Sequence, residues 1–267
     1  MGSCGGSGAM MDFSSDFADK LLMALCEDLP HTVCCAEIGQ LTPAQIKQDF
    51  ADLAAAEREL IEKAVDGRKG EFSAARRLAR QALAQIGYQH FPLLKDNNGA
   101  PRWPADVVGS ITHCAGFRAA LVSKDLRAVG IDAEPARPLP TGVLDSIAGE
   151  EEKRQIRKCG LGIPLDTVLF SVKETIYKSW YPLTGMWLGF EDAQVNLMVQ
   201  ELVSQGSGCH ARGTFSARVT SKKLSEALST GAVVAQFEHL KGQWFISSDL
   251  IVAICLVPSQ CDTQTPG

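Results

Sequence analysis

Apolar positions along the chain recur with two spacings, and these divide it into helices and strands. "TVCCAEIG" is a short apolar run with the length and β-branched content of a strand. "TPAQIKQDFADLAAAERELIEKAV" follows as one or two helices. "SAARRLARQALAQIG" places Ala75, Ala79, Ala82, Leu83 and Ile86 on one stripe, and Gly87 closes it as a helix-ending glycine. The turn-rich "DNNGAPRWP" breaks regular structure. "VVGSITHC", "RAALVSK" and "AVGIDAEP" then read as three strands.

The second half repeats the order. "LDSIAGEEEKRQIRKCG" and "TVLFSVKETIYKSWYPLTG" read as helices. "DAQVNLMVQ", "GTFSARVTS", "AVVAQFEHL", "QWFISSDL" and "IVAICLVP" read as strands. Helices plus about three antiparallel strands in each half predict an α+β fold of two similar lobes. The break falls near 135–142, at "PARPLPTG". The expected division is a flexible Gly/Ser-rich segment 1–11, lobes at 12–135 and 136–257, and a loose tail 258–267.

Composition narrows the class. A 267-residue chain that is 45% hydrophobic and 21% charged is an ordinary globular protein with a sizeable core. Its net charge of −5 argues against a general nucleic-acid binder, while leaving room for local phosphate-binding patches. No apolar run approaches the ~20 residues of a membrane span, and no secretory signal opens the chain, so a cytoplasmic protein is expected. Nine cysteines occur without a Cys-x-x-Cys pair, which favours buried thiols over a zinc ribbon or a disulfide framework.

Four stretches carry chemistry. In "GIDAEP", strand alternation puts Asp132 and Glu134 on one face, opposite Ile131 and Ala133. Two neighbouring carboxylates suit a hard divalent cation, or else a solvated strand end paired with Arg127 or Arg137. In "FSVKETIYKSW", Val172, Ile176 and Trp180 form the apolar stripe, and Glu174 and Lys178 stand one turn apart beside it. They are either an exposed ion pair or a metal carboxylate with phosphate-binding lysines. "GRKGEFSAARRLAR" supplies Arg68, Lys69, Arg76, Arg77 and Arg80, with Arg76 at the stripe edge and Arg77 well away from it. That is a solvated basic face or an anion site. In "GSITHC", His113 alternates with Ile111 and Gly109, where a histidine is more often a satisfied core residue than a ligand.

Taken in order, "WPADVVGSITHC", "GIDAEP" and "FSVKETIYKSW" resemble the three motifs of the 4′-phosphopantetheinyl transferases, in the two-lobed surfactin and enterobactin synthetase type. "EFSAARRLARQAL", "PLLKDNNGAPRWP" and "PLTGMWLGFEDA" are similar to the actinobacterial members, and the resemblance spans roughly residues 30 to 257. It implies a pseudo-dimer of two α+β lobes with coenzyme A between them. It also implies transfer of the phosphopantetheine arm of coenzyme A to a serine of an apo acyl or peptidyl carrier protein, by a monomer that binds neither nucleic acid nor membrane. Carriers of fatty-acid, polyketide, non-ribosomal peptide and siderophore synthesis are all compatible with it.

By position, the resemblance implies Asp132, Glu134 and Glu174 as Mg²⁺ ligands and Glu174 also as general base. Lys173 and Lys178 match phosphate contacts, Lys178 beside the leaving group. His113 matches a contact to a coenzyme A phosphate, and Arg68, Arg76 and Lys95 match the basic cluster around the nucleotide. A silent coenzyme A-binding relative and a Mg²⁺-dependent phosphatase or nuclease are the competing readings. Lys153, Arg154, Arg157 and Lys158 offer one basic helix face to an acidic carrier.

Overall fold

The computed structural model describes residues 29–114, 116–205, 208–247 and 249–259. Segment 1–11 and most of the tail lie outside the described residues. Two antiparallel sheets form the frame. The first has three strands in the order β1 (Thr32–Ile38), β3 (Phe117–Ser123), β2 (Val108–Cys114). The second has five, in the order β4 (Leu126–Pro135), β8 (Leu250–Pro258), β7 (Leu240–Ser247), β6 (Gly208–Val219), β5 (Ala193–Gln205).

The helices are α1 (Pro43–Ala51), α2 (Ala55–Glu59), α3 (Asp66–Gln85), α4 (Val143–Ile147), α5 (Glu150–Cys159), α6 (Leu165–Thr184) and α7 (Ser221–Ser229). Helix α3 covers the three-stranded sheet with Leu78, Ala79, Ala82 and Leu83. Helix α6 covers the five-stranded sheet with Val172, Ile176 and Trp180, the stripe read from the sequence. Gly87, at φ +97, and Gly185, at φ +64, take the left-handed conformation just past the two long helices, where a side chain would be strained.

The sheets meet at a seam. β4 precedes the break read near 135–142, yet it pairs along its length with β8. Its other edge faces β2, whose hydroxyls stand in for a backbone ladder. Ile131 N–H donates to Ser110 Oγ at 3.1 Å and Ala133 N–H to Thr112 Oγ1 at 3.0 Å. Phe117, Leu121, Val129, Ile131 and Val252 close the core beneath. The result is one three-stranded and one five-stranded unit rather than two of about three strands each.

Three elements differ from the sequence reading. "LDSIAGEEEKRQIRKCG" forms two helices, α4 and α5, broken where Ala148 and Gly149 are extended. Helix α7 lies where no helix was expected. "AVVAQFEHL" is no strand but carries a 3₁₀ turn, Ala235–Glu238. Val234 and Phe237 are both buried, a three-residue spacing that marks one face of a helical turn rather than a pleat. Phe237 packs edge-on against Trp180, with ring centroids 5.2 Å apart.

Gly130 sets how closely α6 approaches the seam. A Cβ there would stand 2.1 Å from the Thr175 carbonyl oxygen. The obstacle is backbone and cannot rotate away, so Gly130→Ala must push β4 and α6 apart. Overpacking of this kind costs about 1–3 kcal/mol, which lowers Tm by roughly 2–12 °C in a domain of this size. Calorimetry on the variant checks this, and an unchanged Tm would contradict it.

Candidate active site

The seam gathers the acidic residues. β4 presents Asp132 and Glu134 on one side, and α6 lays Glu174 and Lys178 over them. Lys178 Nζ donates to Asp132 Oδ1 at 2.6 Å and to the Ile131 carbonyl at 3.2 Å. Thr112 Oγ1 lies 3.4 Å from the same carboxylate oxygen. Asp132 Oδ2 is buried with no hydrogen-bond partner. A buried carboxylate oxygen in that state is costly unless something positive faces it.

The neighbouring groups register the same excess of negative charge. Burial, then the Asp132 charge, pushes the Glu134 carboxyl up to about 7, with Glu174 adding to the rise and Lys178 opposing it. Glu174 is raised too, by burial and then Asp132, against Lys178. The Cys114 thiol is pushed up to about 12 by burial and then by Glu134 and Asp132. Among the described residues no three His, Cys, Asp or Glu side chains already converge on one point as a metal site. The donor chemistry nevertheless fits a hard cation: oxygen ligands only, one of them orphaned, and three carboxylates opposed by Lys178 and, at Glu134, more weakly by Arg137.

Beside this seam lies a basic cleft of about 310 Å³ between α3, β2, the 95–103 loop and α6. Five residues singled out from the sequence line it: Arg68, Arg76, Lys95, His113 and Lys178. Arg76 is buried, its guanidinium 3.4 Å from the Phe72 ring centroid and its Nε donating to the Leu93 carbonyl at 3.2 Å. Its carboxylate partner is Glu57, 3.9 Å away. Glu57 is itself fully buried and held by Arg80 at 2.9 Å and by the Ala54 and Leu93 amides.

Burial brings Arg76 down to about 10, with Glu57 opposing and Arg80 and Arg68 adding to the fall. Lys95 is lowered by burial and then by Arg76 and Arg68. His113 is lowered chiefly by burial, with Glu71 opposing and Arg68, Lys178 and Arg118 reinforcing. Arg68 reaches His113 Nε2 at 3.4 Å. Cations that depress one another around an open cleft make a site for a multiply charged anion.

Lys173 does not join them. Its Nζ is buried and makes three bonds elsewhere: the Ile147 carbonyl at 2.7 Å, Glu152 Oε2 at 2.9 Å and the Phe190 carbonyl at 2.9 Å. All three ammonium donors are occupied. At about 100° per residue, position 173 lies roughly 140° around the helix from 178, so the two lysines cannot serve one cleft. The basic face of α5 is likewise reduced. Lys153 pairs with Asp145 at 2.9 Å and Glu150 at 3.4 Å, and Arg154 with Glu151 at 2.6 Å, which leaves Arg157 and Lys158 outside these pairs.

Tyr177, Tyr181 and Trp103, given no role from the sequence, also line the cleft. Tyr177 and Tyr181 lie one turn apart on α6, with ring centroids at 5.8 Å, and exposed Trp187 packs on Tyr177 at 5.1 Å. Their four-residue spacing beside Lys178 was the available signal. Trp103 lies against β2 because Gly109 has no side chain. A Cβ at 109 would come within 2.5 Å of the indole.

Comparison with known proteins identifies the family. Residues 56–123 match the model of the 4′-phosphopantetheinyl transferase N-terminal domain, and residues 128–234 that of the 4′-phosphopantetheinyl transferase superfamily. The chain is 39% identical over 199 residues to 4′-phosphopantetheinyl transferase Npt of Nocardia iowensis, covering 74% of this chain and 86% of that protein. It is 38% identical over 240 residues to 4′-phosphopantetheinyl transferase PptT of Mycobacterium tuberculosis, covering 88% and 95%. Enterobactin synthase component D of Escherichia coli is 36% identical over 131 residues, covering 48% and 61%.

Proposed function

Because this chain belongs to the 4′-phosphopantetheinyl transferase superfamily and is an enzyme of that class, we propose that it moves the phosphopantetheine arm of coenzyme A onto a serine of an apo carrier protein, with Mg²⁺, releasing 3′,5′-ADP. The observation that carries this reading is the convergence of Arg68, Arg76, Lys95, His113 and Lys178 on one cleft, with Lys178 joining it to the seam carboxylates through its bond to Asp132. The enzyme is read as a cytoplasmic monomer. Among the described residues no helix is long and apolar enough to cross a membrane.

The cleft cations hold the nucleotide phosphates. Arg76, fixed by Phe72, Leu93 and Glu57, is the rigid one, and Arg68 and Lys95 line the same cleft near it. His113, with its imidazolium disfavoured by burial, accepts from Arg68 and orients it. Asp132, Glu134 and Glu174 would hold Mg²⁺, which supplies charge neutralisation at the pyrophosphate when bound. The carrier serine Oγ attacks the β-phosphorus, a new P–O bond forms, and the bond to the departing 3′,5′-ADP breaks. Glu174, made more basic by burial and by the Asp132 charge, takes the serine proton. Lys178 stands over the seam beside the leaving phosphate.

Chromatography tests the reaction. 3′,5′-ADP is expected only when coenzyme A, apo-carrier and Mg²⁺ are all present. Its release without carrier would favour the phosphatase reading.

The raised Glu134 carboxyl gives a pH test. A carboxyl raised from 4.5 to about 7 in the folded state favours folding below its ordinary value, and that contribution is lost as pH climbs through 7. A cation paired with the ionised seam restores it. The Mg²⁺-induced rise in Tm is therefore expected to be small at about pH 5 and larger at about pH 8. Equal shifts at both pH values would contradict the seam as the metal site.

A further inference from the structure

The loop over the basic cleft is a tight hairpin fastened at its tip. Lys95 and Pro101 pair at its base, and Asp96 N–H donates to the Ala100 carbonyl at 2.9 Å. Asp96 Oδ1 accepts from the amides of Asn98 at 2.9 Å and Ala100 at 2.8 Å, and Gly99, at φ +90, completes the reversal. The tip then reaches across to helix α6. Tyr181 Oη donates to Asp96 Oδ2 at 2.8 Å and accepts from Asn98 Nδ2 at 2.6 Å. Burial works against it, yet the Tyr181 hydroxyl and the loop amides hold the Asp96 carboxyl below its usual range.

A rigid hairpin tied at its tip has its base set as well, and the base carries Lys95. We propose that Tyr181 is a positioning residue: its hydroxyl fastens the 95–101 hairpin to α6 and so holds Lys95 over the anion cleft. The inference rests on the nucleotide-binding reading of that cleft. Tyr181 contributes through Lys95 and has no part in proton transfer, so its loss acts on coenzyme A binding rather than on the chemical step.

The test is a double-mutant cycle on the full chain, read by calorimetric titration of coenzyme A with Mg²⁺ and by steady-state rates. Tyr181→Phe keeps the ring contact with Tyr177 and removes only the hydroxyl. It is expected to raise Kd for coenzyme A about five- to tenfold, the scale of one or two hydrogen bonds, with kcat at saturating coenzyme A within about twofold. Lys95→Ala is expected to raise Kd similarly, and the double variant to be no worse than Lys95→Ala within about twofold. Asn98→Ala, which removes one arm of the tie at an exposed position, should show a smaller rise of the same kind and stands in should Tyr181→Phe fold poorly.

Effects that multiply in the double variant, or a kcat that falls as far as Kd rises, would overturn the proposal. So would wild-type affinity in Tyr181→Phe. If the wild-type chain itself binds no coenzyme A, the reading of the cleft fails first, and the proposal with it.

Discussion

Glu174→Gln is expected to lower kcat by roughly 10²–10⁴-fold while coenzyme A affinity in Mg²⁺ changes little. The substitution keeps the size and one oxygen ligand and removes the basicity. Mg²⁺ commonly holds only one or two protein carboxylates, and Asp132 and Glu134 supply two on a single strand face. Asp132→Ala differs because it removes the orphaned Oδ2 and the partner of Lys178 together. It is expected to weaken metal-dependent coenzyme A binding as well as turnover. Titration calorimetry beside steady-state rates separates the two. A Glu174→Gln variant that loses binding as badly as Asp132→Ala would make Glu174 a metal ligand first, and the base would have to be sought elsewhere.

Lys173→Met is expected to strike the fold rather than the substrate. The side chain is of similar length, but it leaves Glu152 buried and without its cation. Glu152 also accepts from the Gly149 amide at 2.7 Å and the Val195 amide at 2.8 Å, so it ties the start of α5 to β5. Removing one partner of a buried ion pair costs about 3–5 kcal/mol, or roughly 6–20 °C in Tm here. The KM for coenzyme A of the folded fraction should stay near that of the wild type. A variant with unchanged Tm and a raised KM would return Lys173 to the phosphates.

That lysine shows where sequence reasoning stopped. Strand alternation was enough to put Asp132 and Glu134 side by side, and helical spacing to put Glu174 near Lys178, because both relations are local. Which side of α6 faced the cleft depended on what packed around it. The carbonyls of Ile147 and Phe190 that surround Lys173 belong to segments distant in sequence, and no local period reports them. β4 was legible as a strand but not as a partner of β8, more than a hundred residues away. Helix α7 was missed because only Leu224 and Ala227 are buried in it, too few to reveal a period. The hairpin at 95–101 was legible as a turn from "DNNGAP", while its tie to Tyr181 depended on the meeting of the two halves.

The most direct test of the account is the intact mass of an apo-carrier after incubation with this protein, coenzyme A and Mg²⁺. The expected result is a single phosphopantetheine addition on the carrier serine, abolished by chelation of the metal and slowed roughly 10²–10⁴-fold by Glu174→Gln. A carrier whose mass is unchanged with the wild-type protein, while coenzyme A still binds in the cleft, would contradict the transferase reading.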